Sequence, residues 1–293
     1  MSIINTVIKG KQPSGTITIT SNTTTNVSDY EYAVTAVPTT APALYREFQL
    51  DNTGKLEPNT TTTHIMDFTG VTDVESYALA QAYNNNANVT GAVNMSDLTT
   101  LSGNNACYNM FALCFGLTGV GLPALTTVSG SYACTYMFYV CSNLTSISLP
   151  ALTTISGSSA CSNMFNGCKK LTNVSLPALT TISGSSACSN MFNGCKKLTN
   201  VSLPALTTVS GSYACSGMFG DCTSLTSLSF PALTSTSFGS YTTQFNKMLN
   251  GVTGCTVHFP SNLQPVIGSW ADVVAGFGGT NTTVLFDLPA TES

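Results

Sequence analysis

The sequence predicts an α/β solenoid, with a parallel ladder of short strands on one face and helices on the other, preceded by a small all-β module. Three observations predict it. Ten of the eleven cysteines fall on two lattices with a step of 27 residues: Cys107, Cys134, Cys161, Cys188 and Cys215 in one, and Cys114, Cys141, Cys168, Cys195 and Cys222 in the other. The pairs Met110-Phe111, Met137-Phe138, Met164-Phe165, Met191-Phe192 and Met218-Phe219 keep the same step, as do Leu122-Pro123, Leu149-Pro150, Leu176-Pro177, Leu203-Pro204 and Phe230-Pro231. Residues 149–175 and 176–202 are identical. Self-similarity at a fixed period of a few tens of residues is the mark of stacked structural units, none of which covers its own apolar faces alone.

Within one unit, Leu171-x-x-Val174-x-Leu176-Pro177 alternates as a short strand with Val174 and Leu176 inward. Gly184 with Ser185 and Ser186 reads as a break followed by a helix N-cap. Cys188-x-x-Met191-Phe192-x-x-Cys195 then places apolar residues at i, i+3, i+4 and i+7, one face of a helix. Each unit is thus strand, turn, helix and return. Met164, Phe165, Met191 and Phe192 are expected in the core with the ten lattice cysteines.

These elements resemble the BspA-like, or Treponema-type, leucine-rich repeats, whose units carry Leu-x-x-Ile-x-Leu-Pro and then a helix ending in Phe-x-x-Cys. The resemblance covers about 95–260 in register and implies a leucine-rich repeat solenoid over 66–293. Its parts are an N-terminal cap at 66–94, 27-residue repeats at 95–229, a divergent repeat at 230–259 and a C-terminal cap at 260–293. In the first cap, Glu75 to Tyr83 reads as a helix. In the divergent repeat the step stretches to 29 and Phe245, Met248 and Leu249 are left to fill the core. In the C-terminal cap a helix through Trp270 to Val274 and a last strand at Thr283–Leu288 are expected.

The first 65 residues differ in character. Thr16–Thr20 and Tyr32–Val37 alternate, and Tyr45–Leu50 reads as a strand entering the turn Asp51-Asn52-Thr53-Gly54. Pro13–Thr20 followed by Asn26–Tyr30 resembles a segment found near the start of bacteriophage tail and other virion proteins. That resemblance implies attachment of the module to other virion proteins.

Composition excludes several functions. Charged residues make up 8% of the chain, about a third of the usual ~25%. The net charge is −4, and the basic pairs Lys169-Lys170 and Lys196-Lys197 are copies of each other, so nucleic acid is not an expected partner. No run of about 18 apolar residues exists, so membrane insertion is not expected either. The N-terminus does not read as a signal peptide and no lipidation motif is present.

Nothing in the sequence groups catalytic residues. Asp67, Asp97 and Asp221 are scattered, and His64 and His258 each stand away from a candidate nucleophile. Nucleophile motifs and phosphate-binding glycine loops are missing. On a helix, cysteines seven apart are separated by about 10 Å of rise, and neighbouring helices lie about 8–10 Å apart, so neither disulfides nor a metal site is expected. No enzyme activity and no cofactor are expected.

Surface is what remains. Outward positions of the strand face are Ser146, Ser148, Asn173, Ser175, Asn200, Ser202, Ser227 and Ser229, spaced about 4.8 Å per unit. Tyr132, Tyr136, Tyr139 and Tyr213, with Tyr108, are candidate aromatic anchors on the helical edge. The expected function is a non-enzymatic virion protein in multiple copies or a homo-oligomer, whose solenoid meets a host surface protein or glycan. The alternative is an adhesin on a bacterial cell surface.

Overall fold

The computed structural model describes residues 89–234, 241–263 and 276–291, most of 72–85, and the segments 18–20 and 61–62. At the N-terminal edge, β1 (Thr18–Thr20) pairs antiparallel with β2 (Thr61–Thr62) and with β3 (Val89–Asn94). The other strands expected over 1–65, and the helix expected at 270–274, lie outside the described residues.

From β3 onward the chain winds coil upon coil, and each coil has three walls. The first wall begins with β3, and β4 (Thr100–Leu101) begins the second. The first continues through β5 (Gly116–Gly121), and the second through β6 (Thr127–Val128). They alternate onward as β7 (Ser146–Ser148), β8 (Thr154–Ile155), β9 (Asn173–Ser175), β10 (Thr181–Ile182), β11 (Asn200–Ser202), β12 (Thr208–Val209) and β13 (Ser227–Ser229). Two further first-wall strands, β14 (Thr256–Pro260) and β15 (Thr283–Leu288), close the C-terminal end, the last as the sequence predicts. The second wall is one sheet from β4 to β12, whereas the first falls into three, β2-β1-β3-β5-β7, β9-β11 and β13-β14-β15. Pairing between coils is parallel, with register shifts at Gly91/Ala92 and His258/Pro260; elsewhere Ser148 lies beside Gly121, Ser202 beside Ser175, and Thr181 beside both Thr154 and Thr208. Leu-Pro-Ala-Leu forms the corner between the walls. The Leu152 N–H donates to the Leu149 carbonyl and the Leu179 N–H to that of Leu176, with proline at the second turn position that its fixed φ suits.

The third wall overturns the helical expectation. Residues 131–141, like their counterparts in the other coils, form a ribbon of successive β-turns. The N–H groups of Tyr132, Cys134, Tyr136, Phe138 and Val140 donate to carbonyls of Ser158, Ala160, Ser162, Met164 and Asn166 in the next coil, at 2.7–3.0 Å. Those in between, on Ala133, Thr135, Met137, Tyr139 and Cys141, each donate three residues back along their own coil at 3.0–3.3 Å. Tyr132, Tyr136 and Val140 have φ of 57°, 57° and 55°, so every second turn has the positive φ at its third position that defines type II. In the segment expected as a helix over Glu75–Tyr83, the described residues show the same features, with φ of 62° at Tyr77 and an N–H from Tyr77 to the Asn104 carbonyl at 2.9 Å. Among the described residues, α-helix is limited to the single turn Tyr241–Gln244 and a short terminal piece near Phe277.

The physical reason lies in the rise per coil. Paired strands stack about 4.8 Å apart, whereas packed helices need about 8–10 Å. A return segment that keeps pace with the strands on the opposite walls must therefore hydrogen-bond from coil to coil. An α-helix cannot, because its N–H groups are used internally. The ribbon gives half of its N–H groups to the neighbouring coil and half to its own turns. Its side chains point inward in pairs at a period of four, Ala133-Cys134, then Met137-Phe138, then Cys141, and this satisfies the i, i+3, i+4, i+7 pattern equally well.

One continuous core runs along the axis. Phe111, Phe138, Phe165, Phe192 and Phe219 stack face to face with centroids 5.4–5.8 Å apart and ring planes within 5° of parallel. Every lattice cysteine is buried, as are Met164, Met191, Val174 and Leu176. In the divergent coil Phe245, Met248 and Leu249 are buried, as expected. Gly184 is not a helix break: a Cβ there would collide with the carbonyl of Gly157 in the preceding coil, and Gly130, Gly157 and Gly211 are equally confined. These glycines allow the coils to close on one another.

Candidate functional site

Two outer walls carry the side chains that the sequence singles out. On the first, Ser146, Ser148, Asn173, Ser175, Asn200, Ser202 and Ser227 are exposed and follow the strand register. The Asn200 amide donates to the Asn173 side-chain oxygen at 2.8 Å, so part of this ladder's polar capacity is used along the axis. Ser229, at the end of the ladder, is half-buried and in register with His258.

His258 is not isolated, contrary to the expectation from sequence. Its Nδ1 lies 2.9 Å from both carboxylate oxygens of Asp287 on β15, the ion pair found among the described residues. Ser229, His258 and Asp287 thus occupy three adjacent strands, on a face that is otherwise neutral. Chain separations of 29 residues across parallel strands hide such neighbours from any local motif. No hydrogen bond joins Ser229 to the ring, so the contact that would activate a serine nucleophile is missing from the trio. His64 lies outside the described residues.

The ribbon wall holds the tyrosines. Tyr136 makes edge-to-face contacts with Tyr108 in the preceding coil, centroids 6.1 Å apart, and with Tyr139 at 5.2 Å. These three are half-buried. Tyr132 and Tyr213 are 46% and 48% exposed. Sequence reasoning missed Tyr77, which is 55% exposed and holds the same ribbon position in an earlier coil. All three are large side chains in left-handed backbone, a conformation that costs a bulky residue roughly 1–2 kcal/mol. The duplicated coils meet the same requirement with Ser159, Asn163 and Gly167, and again with Ser186, Asn190 and Gly194. The signal that could have found this row is the spacing of Asn and Gly four residues apart inside a supposed helix, which marks left-handed positions.

The thiols form two interior files. Cysteines at equivalent positions are one coil apart, about 4.8 Å, so the expected separation of neighbouring helices does not apply. None of them is joined in a disulfide. In the second file each S–H donates to a carbonyl of the preceding coil: Cys141 to Phe111 at 3.1 Å, Cys168 to Phe138 and Cys195 to Phe165 at 3.3 Å, and Cys222 to Phe192 at 3.2 Å. Burial pushes Cys107, Cys215 and Cys222 up to about 12, and raises Cys168, Cys188 and Cys195 in the same direction. For Cys134 the first cause is a hydrogen bond with Cys161, followed by burial. Metal binding and nucleophilic attack both need the thiolate, which these surroundings disfavour. Among the described residues no cluster of three or more His, Cys, Asp or Glu is placed to hold a metal. In native protein at neutral pH, a disulfide-exchange reagent is expected to label the cysteines slowly, with all eleven reacting once denaturant is added. Rapid modification of several lattice cysteines in the native state would contradict their inert role.

Stacked in-register coils with Leu-Pro corners and a leucine-lined interior define a leucine-rich repeat solenoid. The family model described as the BspA type leucine-rich repeat region matches residues 69–188 and 132–266, in six copies, and the chain belongs to this family. Among solved structures, a leucine-rich repeat protein from Bacteroides ovatus ATCC 8483 is similar at 16% identity. The match covers 77% of this chain and 90% of that one with a TM-score of 0.19, and the family assignment rests on the repeat match instead. No curated protein matches the chain. No helix among the described residues is long and apolar enough to cross a membrane.

Proposed function

We propose that the chain is a non-enzymatic interaction module of adhesin type, which meets its partner through the outer walls of the coils and not within a cleft. The observation that carries this reading is the repetition of the same outward side chains at one-coil intervals over a filled core. Ser, Thr and Asn dominate these walls, and exposed tyrosines stand out from them. A wall of this kind suits an extended or multivalent partner, because each further coil adds another equivalent contact. Display at a bacterial surface fits the family, and presentation in several copies would strengthen weak individual contacts.

Binding of the labelled full chain to intact bacterial and epithelial cells tests the reading. Charge introduced on the strand wall by Ser202→Lys, or removal of aromatic area from the ribbon wall by Tyr132→Ala with Tyr213→Ala, is expected to weaken binding about tenfold on whichever wall is used. Absence of binding to every cell type, or binding unaffected by either change, would refute it.

A second reading, a particle-borne protein held by residues 1–65, is favoured by the resemblance of Pro13–Thr20 and Asn26–Tyr30 to virion proteins. In that case mass spectrometry finds the chain in purified particles, and deletion of 1–65 removes it. Incorporation unchanged by the deletion would end that assignment.

A further inference from the structure

We infer that the ribbon wall is a platform for a neutral, linear glycan lying along the solenoid axis, with Tyr77, Tyr132 and Tyr213 as its stacking stations. This rests on the interaction-module reading and narrows it to one ligand class and one wall.

Geometry supplies the first support. The three tyrosines occupy the same ribbon position in their coils, the first left-handed residue, where Asn105, Ser159 and Ser186 stand in the coils between. They therefore form one row parallel to the axis. At about 4.8 Å per coil, Tyr77 and Tyr132 are roughly 10 Å apart and Tyr132 and Tyr213 roughly 14 Å. One sugar unit of an extended chain advances by about the length of one coil, so aromatic faces two and three coils apart meet successive sugars of a single strand. Tyr108, Tyr136 and Tyr139 broaden the platform at its centre, held by the two edge-to-face contacts.

Backbone conformation supplies the second. Bulky side chains at left-handed positions are disfavoured, and the duplicated coils show that serine is sufficient for the ribbon. Leu113 and Val140 show that the ribbon accepts other bulky residues in left-handed backbone, so the support lies in three exposed tyrosines recurring at one position of the row.

Charge decides the ligand class. The ribbon segments 105–113, 132–140, 159–167 and 186–194 carry no Asp, Glu, Lys, Arg or His; Asp73 and Glu75 precede Tyr77, Asp221 ends the segment that begins with Tyr213, and Lys169, Lys170, Lys196 and Lys197 stand after the ribbon in the turns that lead into the strand wall. A sulfated or uronic-acid glycan lying along the row finds no cation within the ribbon itself. A protein partner, with about a quarter of its residues charged, would have to desolvate ionic groups against a surface that cannot pair them. A neutral glycan presents C–H faces to aromatic rings and hydroxyls to serine, asparagine and the phenol groups. Among the described residues no hydrogen bond engages the hydroxyls of Tyr77, Tyr108, Tyr132, Tyr136, Tyr139 or Tyr213, which leaves them available.

The test is affinity electrophoresis and calorimetry of the full chain against neutral polysaccharides (β-1,4- and β-1,3-glucan, xylan, mannan and galactan), with dextran sulfate and an uncharged Ser/Thr-rich peptide as comparisons. At least one neutral polysaccharide is expected to bind, with affinity rising with oligosaccharide length until the row is spanned. Tyr132→Ala and Tyr213→Ala are each expected to weaken binding about tenfold, Tyr132→Phe to retain most of it, and Thr154→Ala, on the second wall, to leave it unchanged. Retention only by dextran sulfate or by the peptide, equal binding by the tyrosine variants, or no length dependence would overturn the proposal. If no polysaccharide binds while the chain still binds cells, the glycan inference fails and the interaction-module reading stands. Loss of both removes both.

Discussion

Raising the pH from neutral to about 10 is expected to unfold the solenoid cooperatively. Eight interior thiols, on Cys107, Cys134, Cys141, Cys168, Cys188, Cys195, Cys215 and Cys222, are held above the ordinary value of 9.0. Burial is the leading cause for all except Cys134, where the hydrogen bond with Cys161 comes first. A folded-state pKa above the unfolded one gives stability that is complete below the unfolded value and drains away as the pH climbs toward the folded value. Below about pH 8 the thiols are protonated in both states and contribute no pH dependence. Past the ordinary value, only the unfolded chain releases these protons, and each thiol then removes about 1.4 kcal/mol of stability per pH unit. One unit beyond, Cys107, Cys215 and Cys222, pushed up to about 12, together remove on the order of 4 kcal/mol, and the other five act in the same direction, against the 5–15 kcal/mol that typically holds a domain together. Circular dichroism and thiolate absorbance followed through the same titration check this. The two should change together, because ionisation waits for opening. Thiolate signal rising well before the fold is lost would show that the files are accessible to water.

Gly157→Ala and Gly184→Ala are expected to destabilise the chain by about 3 kcal/mol or more each. Neither glycine has positive φ, so the effect is not one of backbone preference. A Cβ at either position lands inside the carbonyl group of the equivalent glycine in the preceding coil, and that obstacle is backbone that cannot rotate away. Relief requires two coils to separate, where β6 pairs with β8 for Gly157 and β8 with β10 for Gly184, and it parts Phe138 from Phe165 or Phe165 from Phe192. Gly254→Ala is the matched comparison. Its φ is +72° with no atom near the added methyl, so it should cost only about 1 kcal/mol of conformational energy. Urea unfolding of the three variants separates the effects, and equal midpoints for Gly157→Ala and Gly254→Ala would contradict the steric account.

Much of the fold was legible because a stacked coil repeats its interior. The steps among cysteines, Met-Phe and Leu-Pro pairs placed the core residues correctly, and the alternation around Val174 put that side chain inward. The third wall was not legible from hydrophobic spacing. Pairs of inward residues at a period of four and a helix at 3.6 both satisfy Cys-x-x-Met-Phe-x-x-Cys over so short a run. Asn163 and Gly167 carried the discriminating information, since they stand where the backbone is left-handed. The candidate surfaces were partly legible. Tyr132 and Tyr213 were visible as unusual residues, but Tyr77 joins them only once the coils are stacked. The pairing of His258 with Asp287 likewise exists only across strands.

The sequence by itself determined that this chain repeats, how long each repeat is, and which side chains lie inside, because apolar burial imprints its period directly on residue order. Tertiary structure decided what the return wall is and which outward residues share a row. Both depend on the rise between neighbouring coils, because the return wall hydrogen-bonds from coil to coil at the strand spacing instead of fanning out to the wider spacing that packed helices need.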